Sequence, residues 1–243
     1  MVNLKEMVLI GSLMLAGGGY TGGSFGSNPK QADNYSERLN NFLGKQSELY
    51  IASELEKSLK KEKELSKENT IKELYLTPDL LNAYIKQAYK KAKVWPKEFD
   101  KRLFRLMLKQ ESEDNVYARS KTGYLGLGQI GSTAYETFRP EKYATFKDSA
   151  DLEKELFNPV ENLTLSLEHL NHISNFCEKK HPKWSTLNID NKRKIILACY
   201  NAGMGKIQKV NWDIKSKKLK RENRNYPEEI MEAYYNQKVK VKV

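Results

Sequence analysis

Apolar positions recur along this chain at helical intervals, and the recurrence changes character at about residue 77. Between residues 36 and 76, Leu39, Leu43, Leu49, Leu55 and Leu59 stand at loosely helical spacing among many charges. The spacing predicts one long, charged helical arm whose heptads are too irregular for a coiled coil. Thr77-Pro78-Asp79 reads as a helix start, with Thr as the cap and Pro in the first helical position. The segment that follows carries apolar residues at 80, 81, 84, 85 and 88, one face of a helix. After Trp95-Pro96, a second helix places Phe99, Leu103, Leu106 and Met107 on one stripe and delivers Glu111 near its end. Further helices are expected at about 149–156, 160–178, 190–200 and 227–236, the last begun by Pro227. Between them, Gly123, Gly126, Gly128 and Gly131 break up residues 120–134, which read as a short hairpin or irregular loop.

The same pattern divides the chain. Residues 1–16 contain an apolar run from Met7 to Ala16, far short of the roughly 20 residues of a membrane span but suited to a signal-like segment. Gly18 stands where a lipidated Cys would have to be, so lipid anchoring has no support. Residues 17–35 are rich in Gly, Ser and Asn and read as a flexible linker. The arm spans 36–76, a mainly α catalytic-type domain 77–237, and a tail 238–243.

Charge narrows the partners without choosing one. Lys and Arg outnumber Asp and Glu by 42 to 31, a formal net charge of +11, which favours anionic polymers or surfaces. No aromatic-rich RNA-binding motif or zinc-finger spacing accompanies it, so specific nucleic-acid binding is not expected. Two cysteines, Cys177 and Cys199, provide no disulfide framework, and Cys199 in the apolar run IILACY reads as core packing rather than half of a bridge. His169 and His172 lie three apart on one helix, but no third ligand is evident, so neither metal nor cofactor is expected.

Three short stretches carry candidate chemistry. Glu111 ends an apolar helix beside a loop of small residues, where partial desolvation would raise its pKa towards that of a general acid at neutral pH. By spacing alone, a solvated helix end is the commoner outcome. Gln129, among glycines that let a polymer approach the backbone, offers an amide that can both donate and accept; an ordinary turn-rich loop fits equally. Tyr200-Asn201 closes an apolar helix at Gly203 and could point a hydroxyl and an amide into a cleft, or simply mark a capped helix end.

In combination these stretches have a counterpart. Residues 77–236 resemble the catalytic domain of the soluble lytic transglycosylases, a branch of the lysozyme-like superfamily. The resemblance rests on Glu111-Ser112, Ala118, Ser120 and Gly126-Leu127-Gly128-Gln129 in register, then Asn158-Pro159, Asn162-Leu163, His169-Leu170, Cys199-Tyr200-Asn201-Ala202-Gly203 and Glu222 to Tyr226. Departures occur at Asp114 (an aromatic in the family), Val116 (Pro), Tyr124 (a small Ala), Gly128 (Met) and Gly131-Ser132 (Met-Pro), and the loop before Thr133-Ala134 is one residue short.

The resemblance implies a lysozyme-like helical fold with a short hairpin or irregular loop at the active site. It implies cleavage of the β-1,4 bond between N-acetylmuramic acid and N-acetylglucosamine in peptidoglycan. Glu111 would protonate the leaving oxygen and then, as a base, draw the muramic 6-hydroxyl onto the anomeric carbon to form a 1,6-anhydro end. Ser120 and Gln129 would hold the sugar, Tyr200 would position Glu111 or the acetamido group, Asn201 would support the wall, and Tyr226 would bind or pack. Peptidoglycan strands are the expected partner, with the 36–76 arm as a docking segment for a protein. The expected location is the cell envelope or periplasm, or a phage virion or secretion assembly. Rival readings are a goose-type lysozyme-like hydrolase, with Asp114 as a second carboxylate, and a lysozyme-like structural component of an envelope-spanning or virion assembly.

Overall fold

The computed structural model describes residues 74–239, so the signal-like segment, the linker, nearly all of the predicted arm and residues 240–243 lie outside the described residues. The last residues assigned to the arm are extended, not helical. Leu76 N–H donates to the Asp114 carbonyl at 3.0 Å and Val116 N–H to the Leu74 carbonyl at 2.8 Å, so this segment runs antiparallel to residues 114–116.

Helix α1, Pro78–Ala92, starts as the sequence predicts, with Thr77 Oγ1 accepting from Leu80 N–H. It buries Leu81, Tyr84, Ile85 and Ala88. Helix α2, Lys101–Ser112, is capped by Asp100, whose side chain accepts from Leu103 N–H at 2.8 Å. Short helices α3 (Ser132–Phe138), α4 (Pro140–Tyr143) and α5 (Ser149–Leu156) follow the glycine-rich loop. Helix α6, Pro159–Lys180, is the axis of the fold, and every residue from Glu161 to Leu167 is buried. Such all-round burial marks a helix surrounded by others. α6 packs most extensively on α1 and also on α3, α5 and α7 (Ile189–Ala202). Helix α8 spans Met204–Lys209 and α9 spans Arg221–Val239.

Three boundaries differ from the sequence reading, the first being that α2 starts only at Lys101, behind its Asp100 cap, so Phe99 packs from outside the helix. Pro227 does not begin a helix; it lies inside α9, which starts at Arg221. Proline removes one backbone donor and crowds the preceding turn, but here that turn is held by tertiary contacts of Asn223 and Tyr226. Among residues 120–134 the strand content reduces to isolated bridges, Arg119 with Leu125 and Leu125 with Ile130, and α3 already begins at Ser132. The described chain is mainly helical, as the apolar periodicity predicts. Cys177 and Cys199 are free, fully buried thiols with sulfurs 3.9 Å apart, packed between α6 and α7.

Helix α9 fastens both ends of α2. Tyr234 donates its hydroxyl to Asp100, and Arg102 Nη2 donates to the Tyr234 carbonyl at 3.0 Å while its guanidinium lies 4.0 Å over the Tyr234 ring. At the far end, two turns back along α9, Tyr226 meets Glu111. Past Ser112, α2 stops on two successive left-handed residues, Glu113 (φ 53) and Asp114 (φ 70). The turn leaves Glu111 at the helix end, facing the glycine-rich loop.

Candidate active site

The loop opposite Glu111 is shaped by one buried side chain. Asn162 of α6 is fully buried; its Nδ2 donates to the carbonyls of Leu125 (2.9 Å) and Leu156 (2.8 Å), and its Oδ1 accepts from Gly128 N–H (2.7 Å). Gly126, at φ +74, and Gly128 lie against α6 so closely that a β-carbon on either would collide with it. At Gly126 it would stand 2.3 Å from Asn162 Nδ2, and at Gly128 1.9 Å from Ser166 Oγ. These two glycines therefore serve the approach of loop to helix, not the approach of a polymer to the backbone. Replacing Gly128 by Ala should cost about 1–3 kcal/mol of folding stability. The added Ser166→Ala change should recover part of it in a denaturation-based double-mutant cycle, since it removes the colliding hydroxyl.

The loop aims its side chains at a cleft of about 220 Å³. Glu111, Ser120, Gln129, Tyr200 and Asn201 line it together, so residues scattered from 111 to 201 in the chain share one wall set. Tyr226 is buried beneath them and donates its hydroxyl to Glu111 Oε1. Tyr200 does not touch Glu111 by a hydrogen bond; its hydroxyl donates to the Gly128 carbonyl at 2.6 Å, completing the hold on the loop. Gln129, at φ 49, spends both amide hydrogens inward, on Gly126 O (2.9 Å) and Ala118 O (3.2 Å), which leaves its amide oxygen as the group presented to the cleft. Ser120 Oγ accepts from Tyr124 N–H (2.9 Å) and Thr122 N–H (3.3 Å), closing a tight turn at the rim. Asn201 Oδ1 accepts from Asn223 Nδ2 at 2.6 Å.

Burial pushes the Glu111 carboxyl up to about 7, against the smaller downward pull of the Tyr226 hydrogen bond. A carboxyl poised there is half protonated at neutral pH and can both give and take a proton. Burial, with the Glu111 charge next, also raises Tyr200 and Tyr226 well above the usual phenol range, so both stay neutral donors. Asp114 is elsewhere: it is ion-paired to Lys109 at 3.1 Å and lines a separate basic pocket on the outer face of α2. The other carboxyl that reaches the cleft is Glu222, exposed at its mouth and paired with Lys220 at 3.4 Å.

The sequence reading gave no role to Asn162, Glu222 or Asn223. A signal for Asn162 was present: Asn162, Thr164 and Ser166 alternate with Leu163, Leu165 and Leu167, small polar residues set among leucines, as befits a helix that must satisfy a neighbouring loop. His169 is half-buried, with its ring 5.3 Å from that of Tyr200, and desolvation, with His172 secondarily, lowers it to about 4, so it is a neutral packing group. Among the described residues no three His, Cys, Asp or Glu side chains gather as a metal site, and no helix is long and apolar enough to cross a membrane.

A family model described as the transglycosylase SLT domain matches residues 84–225, from within α1 to the residue before Tyr226. No curated protein matches the chain. The match covers more than half of the 243 residues and contains the entire loop, the Asn162 clamp and Glu111. The chain belongs to the transglycosylase SLT domain family, with its lysozyme-like helical fold, and is a transglycosylase-type enzyme that acts on peptidoglycan.

Proposed function

We propose that this enzyme cleaves the β-1,4 bond between N-acetylmuramic acid and N-acetylglucosamine and leaves a 1,6-anhydromuramic end, with Glu111 as acid and then base. The observation that carries this reading is a single half-buried carboxyl, held near pH 7 by desolvation and gripped by Tyr226, in a cleft whose other walls, apart from exposed Glu222 at the mouth, are neutral donors and acceptors. Most glycosidases need two carboxylates flanking the bond. Here the substrate's own acetamido group takes the place of the second, stabilising the positive charge that develops at the anomeric carbon. Protonated Glu111 gives its proton to the leaving oxygen. The resulting carboxylate removes the proton from the muramic 6-hydroxyl as that oxygen bonds to the anomeric carbon, so no water is consumed. Gln129 and Asn201 hold the sugar, Ser120 shapes the rim, and Tyr226 is a positioning residue for Glu111. Digesting purified walls with the full chain and separating the muropeptides tests this: anhydro ends are the expected product.

One observation supports a second reading. Glu222 at the mouth of the cleft supplies a carboxylate that a hydrolase of the goose-lysozyme kind would use to activate water. Reducing ends in the same digest would favour it.

Tyr226→Phe separates positioning from packing. The lost hydrogen bond favours the carboxylate, so its removal shifts the Glu111 pKa upward from about 7. The alkaline limb of the kcat/KM profile should move to higher pH, with a roughly tenfold loss of rate near neutrality. A residue that only packs would leave the profile in place.

The net charge of +11 suits a role beside anionic wall polymers, in the cell envelope or on an exported assembly that must cross the wall. In such an assembly the 36–76 segment would dock the enzyme to a protein partner.

A further inference from the structure

Tyr124 is a large aromatic side chain left 48 % exposed in a groove. Its neighbours hold it there. Tyr124 N–H donates to Ser120 Oγ and its carbonyl accepts from Ser120 N–H, both at 2.9 Å, which pins the backbone of the turn. The ring lies against Gly131, where a β-carbon would come within 3.0 Å of its Cε1. Gly131 thus makes room for the ring.

The ring also stands at a junction. It lines the Glu111 cleft and a larger, adjoining pocket of about 470 Å³ that runs on past Thr133 and Phe138. Thr122, Tyr200 and Asn201 are common to both. An apolar ring flanked by hydroxyl and amide groups matches the two-sided chemistry of a pyranose, whose axial C–H face is apolar and whose rim is polar. Tyrosine gives such a platform at low entropic cost, having only two side-chain torsions to fix.

We propose that Tyr124 is the stacking platform for the N-acetylhexosamine ring next to the scissile bond. This inference rests on the glycan reading above. Its test uses the full chain carrying Glu111→Gln, so that binding is read without cleavage. The probe is purified glycan strands freed of their peptides. Adding Tyr124→Ala should weaken binding roughly tenfold, and Tyr124→Phe, which keeps the ring, should stay within about twofold. Tyr124→Leu fills the space without an aromatic face and should weaken binding like Ala. In the active enzyme, Tyr124→Ala should raise KM more than it lowers kcat and leave the pH profile unmoved.

Ala or Leu binding as tightly as Tyr would overturn the proposal, as would Phe binding as poorly as Ala. A parent protein that binds no glycan strands would overturn the glycan reading itself, and this inference with it.

Discussion

Replacing Glu111 by Gln is expected to abolish wall cleavage, by at least ~10³-fold, while making the protein more stable at neutral and alkaline pH. The first effect follows from the chemistry: Gln neither donates an acidic proton to the leaving oxygen nor accepts one from the 6-hydroxyl, and general acid–base catalysis alone is worth about 10²–10⁴-fold. The second follows from linkage. The folded-state pKa of about 7 lies above the ordinary value of 4.5, so the folded protein holds this proton more tightly than the unfolded chain does. The cost of burying the carboxylate is absent below about pH 4.5, grows through the window from 4.5 to 7, and is complete above it. It amounts to roughly 3 kcal/mol at the alkaline plateau. Gln keeps the shape and still accepts from Tyr226, but carries no charge to bury. Thermal or urea melts of Glu111→Gln against wild type should therefore agree near pH 4 and diverge by pH 8, with the variant more stable. Equal stabilities at pH 8 would mean that Glu111 is not desolvated.

Asn162→Leu should be the most damaging substitution outside the catalytic carboxyl. Leu fits the volume but strands two backbone groups, the Gly128 N–H and the Leu156 carbonyl, and leaves the Leu125 carbonyl with only the Ile130 N–H. Leaving a buried polar group unpaired costs about 1–3 kcal/mol, so a total of about 3–5 kcal/mol is expected. That is a large fraction of the ~5–15 kcal/mol that holds a typical domain together. Activity should fall further than stability suggests, because Gly128 also anchors Tyr200 and precedes Gln129. Asn162→Asp keeps the acceptor for Gly128 but loses both donors and buries a charge. It should be similarly unstable at pH 7 and partly recover in acid, where the carboxyl regains a proton to donate. A loss under 1 kcal/mol for Asn162→Leu in urea titrations would contradict the clamp.

The helices that carry the site were legible because their apolar faces repeat at 3.6 residues and because Thr77-Pro78 marks the first start strongly, whereas the Asp100 cap of α2 emerged only from the structure. Glu111 was legible as a residue at the end of such a helix. What periodicity does not encode is which tertiary partner each polar group finds. Tyr226 reads equally as a substrate contact or as packing until α9 is laid antiparallel beside α2, where it meets Glu111. Pro227 reads as a helix start because a local rule was applied where tertiary contacts decide. The glycines of 126–128 signal close approach, but the sequence does not say of what; the partner is α6. Likewise Gln129 is recognisable as a polar group in a glycine loop, while the inward bonds of its amide hydrogens depend on the left-handed turn it occupies.

The central claim is that Glu111 closes the muramic 6-hydroxyl onto the anomeric carbon without water. Digestion of purified peptidoglycan in water labelled with heavy oxygen, followed by mass spectrometry of the released muropeptides, tests it most directly. The account predicts 1,6-anhydro ends that carry no label, formed by wild type and missing with Glu111→Gln. Reducing ends that carry one labelled oxygen would contradict it and identify a hydrolase.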